Sequence, residues 1–106
     1  MRLIRHPLVA QDLRAMAEHI VTVTQGDIDA ALRHLDEVDA MLADIRANPG
    51  YGAPLGGPLE GWRARHGGKG RMITIVYREG QGALFVALVA FGGQDWMARV
   101  PGRSKL

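Results

Sequence analysis

The sequence predicts an α+β fold, because helical patterns fill its first half and strand patterns fill its second half. Over residues 7–47, apolar side chains recur every three or four positions, which is the spacing of one helix face. From residue 62 onward, short β-compatible runs alternate with glycine-rich turns. This order predicts an N-terminal strand, an antiparallel two-helix hairpin and a three-stranded antiparallel meander.

The first strand and the two helices are bounded by residues that start or stop each element. Residues 2–5 are β-compatible, and Pro7 suits a first helical turn, because its missing N–H would have no helical partner there. The first helix is predicted over about residues 7–24. Asp27 is then placed to cap the second helix, and Asn48-Pro49-Gly50 ends it.

The later strands are predicted at Trp62–His66, Arg71–Arg78 and Leu84–Phe91. The last of them is apolar on both alternating faces, as expected of a central strand that is covered on two sides. From about residue 97 the chain has little apolar content, so a mobile tail is predicted there. The whole chain, residues 1–106, is predicted to form one domain, because its length and 47% apolar content suit a single core.

Charge is divided unevenly along the chain. Residues 1–60 carry five arginines against nine acids, a net charge of −4, whereas residues 61–106 carry eight Lys and Arg against two acids, a net charge of +6. A basic half of this kind can concentrate a polyanion or dock an acidic partner. The alternative is a solvated face without a partner.

Composition and spacing exclude several kinds of site. The chain has no cysteine, which excludes disulfides, thiolate metal sites and cysteine nucleophiles. Its four histidines form no i, i+4 pair and have no carboxylate at a metal-ligand spacing, so neither a metal nor another cofactor is predicted. The longest apolar run, Ala83–Phe91, is about half the length that a membrane-spanning helix needs, and the N-terminus lacks the apolar segment of a secretory signal. A cytoplasmic protein without a membrane partner is the expectation.

Five local motifs, spread over nearly the whole chain, are similar to those of one known protein family. Ala10-Gln11-Asp12-Leu13 resembles A-x-x-D-L, residues 45–55 resemble I-x-x-x-P-x-x-G-x-P-L, and Leu59-x-Gly61-Trp62-Arg63 resembles L-x-G-x-R. Val76-Tyr77-Arg78 is similar to the strand end F/V-Y-R, and Phe91-Gly92-Gly93-Gln94-Asp95-Trp96 is similar to H-G-A-R-D-W. Together these motifs resemble those of RelE/ParE-type toxins, in particular the ParE-like branch. The resemblance implies the toxin of a type II toxin–antitoxin system, which binds a cellular target such as DNA gyrase and is neutralised by a cognate antitoxin.

The chain departs from the family pattern at chemically important positions. Phe91 and Gln94 stand where the family places a histidine and an arginine, Thr74 stands where RelE-like members place an arginine, and no tyrosine follows Tyr77. The family's ribosome-dependent RNases use such arginines and a C-terminal tyrosine, so the resemblance favours a toxin that binds rather than cleaves. A RelE-like endoribonuclease acting on mRNA at the ribosome and a non-toxic binding module are the alternatives. Monomer and homo-oligomer are both compatible with the sequence.

The candidates for binding a target or a phosphate group lie in two places. Four cations lie on or beside the first hairpin, where Arg63 and Arg65 would share one strand face: Arg63, Arg65, Lys69 and Arg71. The alternative for them is an edge strand guarded by charge. Tyr77 is a further candidate, although its strand parity equally predicts a buried ring. The remaining candidates follow the last strand: Gln94, Asp95, Trp96 and Arg99.

Overall fold

A computed structural model describes residues 1–105 as a five-stranded sheet with two long helices. The strands are β1 (Arg2–Arg5), β2 (Ala53–Pro54), β3 (Arg63–Gly67), β4 (Ile73–Gly80) and β5 (Ala83–Phe91). The helices are α1 (Val9–Val23) and α2 (Ile28–Ala47). The strand order is β1-β5-β4-β3-β2, in which β1 runs parallel to β5 and the other neighbours are antiparallel. The predicted class, helical hairpin and meander are confirmed, and the two-residue β2 is an added edge strand.

The helical hairpin closes where its turn residues allow. Gly26 adopts φ +107° and its N–H donates to the Val21 carbonyl at 2.8 Å, which ends α1. The Asp27 carboxylate then accepts the Ala30 N–H at 2.9 Å and caps α2, as predicted. Both helices cover the same sheet face, and the core between them contains these fully buried side chains: Val9, Val38, Ile45, Ile73, Ile75, Tyr77, Leu84 and Val86. No helix within residues 1–105 is long and apolar enough to cross a membrane.

A bulge in β5 changes which of its residues face the helices. Val76 pairs with Leu88 and Tyr77 pairs with Val86, so Ala87 is the extra residue. Because the bulge shifts the alternation by one position, Val86 and Val89 lie on the helix side while Ala87 and Leu88 lie on the other side. A strand that is apolar on both faces supplies both layers, and β5 is indeed central, between β1 and β4.

The second sheet face is covered by irregular segments instead of a helix. The connection before β3 contributes Trp62, which is buried, and Leu55 and Leu59 pack against it. Residues 97–103 form two short 3₁₀ turns, and Val100 between them is fully buried against this face. The segment for which the sequence predicts a mobile tail is therefore packed against the sheet. One buried valine and several arginine contacts hold this segment, so its low apolar content did not reveal that it is packed.

Candidate functional site

A buried carboxylate on α1 completes the hydrogen bonding of β5. In the described chain, β1 pairs with β5 only as far as Val86, so the next peptide groups on that side face no strand. The Asp12 carboxylate accepts the Val89 N–H at 3.0 Å, and an Arg103 N–H donates to the Ala87 carbonyl at 3.3 Å. These two side chains thus take the place of a neighbouring strand.

The same carboxylate anchors the C-terminal segment through two arginines. Arg103 donates from both guanidinium nitrogens to the two Asp12 oxygens, at 2.5 and 2.8 Å, and Arg99 donates at 2.7 Å. The Asp12 side chain is 4% exposed and the Arg103 side chain 11%, so this is a largely desolvated, bidentate pair. Arg99 also donates to the Gln94 amide oxygen at 3.3 Å. A cavity of about 350 Å³ opens beside this group, which we call the Asp12 corner.

The two β3 arginines are engaged by the chain itself. Arg63 donates to the Gly52 carbonyl at 2.8 Å and to the Gly50 carbonyl at 3.3 Å. Arg65 forms an ion pair with Asp44 of α2 at 2.5 Å. Both side chains lie on the α2 side of the sheet, where Arg63 ties the segment after α2 to β3 and Arg65 ties α2 itself to β3. Much of their hydrogen-bonding capacity is therefore structural.

The other two hairpin cations lie at the turn between β3 and β4. The Lys69 backbone N–H donates to a Glu37 carboxylate oxygen at 2.6 Å, and its side chain is exposed. Arg71 is also exposed and adopts φ +56°, a left-handed conformation that costs energy for a residue with a Cβ. The four predicted cations thus divide into two that stabilise the fold and two that face solvent.

Tyr77 lies in the core, on the helix side of β4. It is fully buried, its hydroxyl donates to the Pro49 carbonyl at 2.5 Å, and it accepts the Gly52 N–H at 2.9 Å. Burial raises the pKa of the Tyr77 phenol above its usual value, although the Gly52 N–H and the nearby Arg63 charge oppose that rise. The ring and hydroxyl therefore stabilise the segment that follows α2.

Removing the Tyr77 hydroxyl is expected to change how stability depends on pH. Above about pH 10 the unfolded chain releases this phenolic proton while the folded chain retains it, so the free energy of unfolding falls as pH rises, by up to about 1.4 kcal/mol per pH unit. Tyr77→Phe should cost about 1–2 kcal/mol at neutral pH, and that gap should narrow above pH 10. Urea denaturation at several pH values measures it, with Tyr51→Phe as the exposed control. A stability difference between the unchanged chain and Tyr77→Phe that does not vary with pH would contradict a raised pKa for Tyr77.

The remaining sheet-face position that the family comparison singled out carries no charge here. Thr74 is buried, and its hydroxyl lies 2.8 Å from His66 Nδ1. The Trp96 ring centroid lies 6.3 Å from that of His66. Asp95, next to Trp96, is exposed. The Thr74 hydroxyl is neutral, so it does not supply the positive charge that an arginine at this position would bring to a phosphate.

The structure brings Gln94 and Arg99 together at the Asp12 corner and places the hairpin cations elsewhere. Sequence analysis missed Asp12 and Arg103, which hold that corner. The available signal was the position of Asp12 three residues after Val9 and four before Met16, which puts an acid inside the buried stripe of α1. A buried acid requires a cation, and the arginines of the C-terminal segment supply it.

With the fold and the two basic regions described, the chain can be placed by structural likeness. It is similar to a chain of the chromosomal ParDE TA system from P. aeruginosa, with a TM-score of 0.68 and 20% identity over 87% of this chain and 96% of that one. It is also similar to the YoeB/ParE toxin from Agrobacterium tumefaciens, with a TM-score of 0.59 and 20% identity over 86% of this chain and 98% of that one. No family model and no curated protein matches the sequence. The chain has the RelE/ParE toxin fold.

Proposed function

We propose that the protein is the toxin of a type II toxin–antitoxin pair and that it inhibits bacterial growth. The observation that carries the proposal is the extent of the structural likeness, which spans 96% and 98% of two chains described as a ParDE TA system and a YoeB/ParE toxin. Fold alone does not determine function. The sequence motifs that lie on the same elements add independent support.

Within this proposal, the toxin binds a cellular target such as DNA gyrase instead of cleaving RNA. Three features support binding. Tyr77 is buried between two backbone groups, Thr74 is a buried neutral residue, and Arg63 is occupied by carbonyls. The alternative is a RelE-like nuclease that uses the exposed Lys69 and Arg71 at the turn, where cations could stabilise a phosphorane-like transition state.

Two readouts separate these mechanisms when the chain is induced in bacteria. They are the supercoiling of a reporter plasmid and the cleavage of ribosome-bound messages, followed in the same culture. We expect growth to stop and a reporter plasmid to lose negative supercoiling, while ribosome-bound messages stay intact. Message cleavage mapped to the ribosomal A site, with normal supercoiling, would show the nuclease instead. Normal growth at high levels of folded protein would leave only the non-toxic binding module.

The partner implied by this proposal is a cognate antitoxin, encoded by a neighbouring reading frame. Co-expression of that protein should restore growth, and the two chains should co-purify. The helix side carries most of the acidic residues, while the β3–β4 turn carries the exposed cations Lys69 and Arg71, so an antitoxin has surfaces of both charges to contact.

A further inference from the structure

A second cavity, away from the Asp12 corner, opens at the edge of β3 where the short β2 ends. It encloses about 300 Å³, at the small end of the range for ligand pockets. The residues that line it are Tyr51, Ala53, Ala64, Arg65, His66 and Arg71. These six described residues include a phenol ring, two guanidinium groups and an imidazole, and none of the six is acidic. We call this the β3-edge cavity.

The aromatic wall of the β3-edge cavity is exposed and already oriented. Tyr51 is 66% exposed, so it contributes little to the core. The Arg65 guanidinium carbon lies 5.7 Å from the Tyr51 ring centroid, and the Asp44 carboxylate holds that guanidinium in an ion pair at 2.5 Å. An exposed ring held by an arginine is a stacking surface for a flat heterocycle.

The cationic wall of the β3-edge cavity carries a positive charge that faces solvent. Arg65 is balanced by Asp44, whereas the Arg71 side chain is exposed. Arg71 occupies a left-handed position between Gly70 and Met72, and its N–H donates to the Gly68 carbonyl at 3.0 Å. Glycine or asparagine would suit that conformation better, so an arginine there is not explained by the turn. His66 is exposed and uses Nδ1 toward Thr74, which leaves Nε2 for a ligand.

We propose that the β3-edge cavity binds the phosphate ester of an aromatic heterocycle. The heterocycle stacks on Tyr51 beside Arg65, and the phosphate lies across the β3 edge, near Arg71 and His66. A free mononucleotide and the end of a nucleic acid single strand both present this chemistry. The proposal does not depend on the toxin assignment, because it requires only the six residues of the cavity.

Titration of the isotope-labelled full chain, followed by backbone amide NMR, tests the site. The probes are adenosine 5′-monophosphate, adenosine, inorganic phosphate and a short single-stranded oligodeoxynucleotide. We expect saturable shifts at Tyr51, Arg65, His66 and Arg71 with the monophosphate, and binding at least about tenfold weaker for adenosine or phosphate alone. Equal affinity for the oligonucleotide identifies a mononucleotide site, and tighter binding with shifts that continue beyond the cavity identifies a strand end.

Two substitutions and one control make the test specific. Tyr51→Leu should weaken monophosphate binding by about tenfold. Arg71→Gly should weaken it by a similar factor and reduce its salt dependence, while glycine keeps the left-handed turn. Arg33→Gln removes an exposed cation from α2 and should change affinity by less than about twofold. The proposal is overturned if the monophosphate gives no saturable shifts at the cavity, if phosphate alone binds equally well, or if all three variants bind alike.

Discussion

Replacing Asp12 with alanine is expected to lower the free energy of unfolding by about 3–5 kcal/mol, because it leaves the largely buried Arg103 guanidinium without its carboxylate. The Val89 N–H loses its acceptor in the same step. Arg99, which is one-third exposed, contributes less, since water can solvate it. Urea denaturation of the purified variant measures the loss.

Two further variants of α1 control for this effect. Glu18→Ala removes an exposed acid from α1 and should change stability by no more than about 0.5 kcal/mol. Asp12→Asn keeps an acceptor for Val89 but loses the charge, so an intermediate cost is expected. Amide exchange around Val100 should become faster in Asp12→Ala, because the arginines no longer hold the C-terminal segment. Equal stability of Asp12→Ala and Glu18→Ala would contradict a structural role for the buried carboxylate.

Replacing Gly52 with alanine is expected to cost about 2–3 kcal/mol, through overpacking and a lost hydrogen bond. An added Cβ would overlap the Tyr77 hydroxyl and lie 2.9 Å from Tyr77 Cε1 and Cζ. Tyr77 is fully buried and has no room to retreat. The backbone of Gly52 has φ −69°, which alanine adopts freely, so the expected loss is steric.

The matched control for Gly52 lies two residues earlier. An added Cβ at Gly50 meets no atom within 4 Å, so Gly50→Ala should leave stability nearly unchanged. In the double variant Gly52→Ala with Tyr77→Phe, the closest overlap, which involves the hydroxyl, is removed although the ring carbons remain near the methyl group, so the combined loss should be smaller than the sum of the single losses. Thermal and urea denaturation give all four values. Additive losses would show that the two residues are not in contact.

The elements of this fold were predictable, because they depend on local patterns. Asp27 and the glycine before it mark the hairpin turn, and the two-sided apolar run at Ala83–Phe91 marks the central strand. The predicted buried faces of the two helices were less accurate at the helix ends. Val23 and Ile28 follow the predicted helical spacing but are 61% and 62% exposed, and they lie beside the hairpin turn, at the end of α1 and the start of α2. Periodicity indicates a face and does not show how far the partner surface reaches.

The candidate sites were harder to predict, because they depend on contacts between distant parts of the chain. Asp12 meets Arg103 across 91 positions, and no local pattern joins them. The bulge at Ala87 places two adjacent residues on one face, which simple alternation does not allow. Arg63 and Arg65 were predicted on one strand face and lie on one, but their partners are the segment after α2 and α2 itself. Residue type identified the cations, and only tertiary structure shows which of them are engaged.

The claim that this chain is a growth-inhibiting toxin is tested most directly by counting colonies after its induction, with and without the protein encoded by the neighbouring reading frame. We expect colony counts to fall by orders of magnitude when the chain is induced alone and to recover when both proteins are made. The Glu18→Ala variant, which should fold normally, should be equally toxic. Unchanged colony counts in cells that contain abundant, folded chain would contradict the claim.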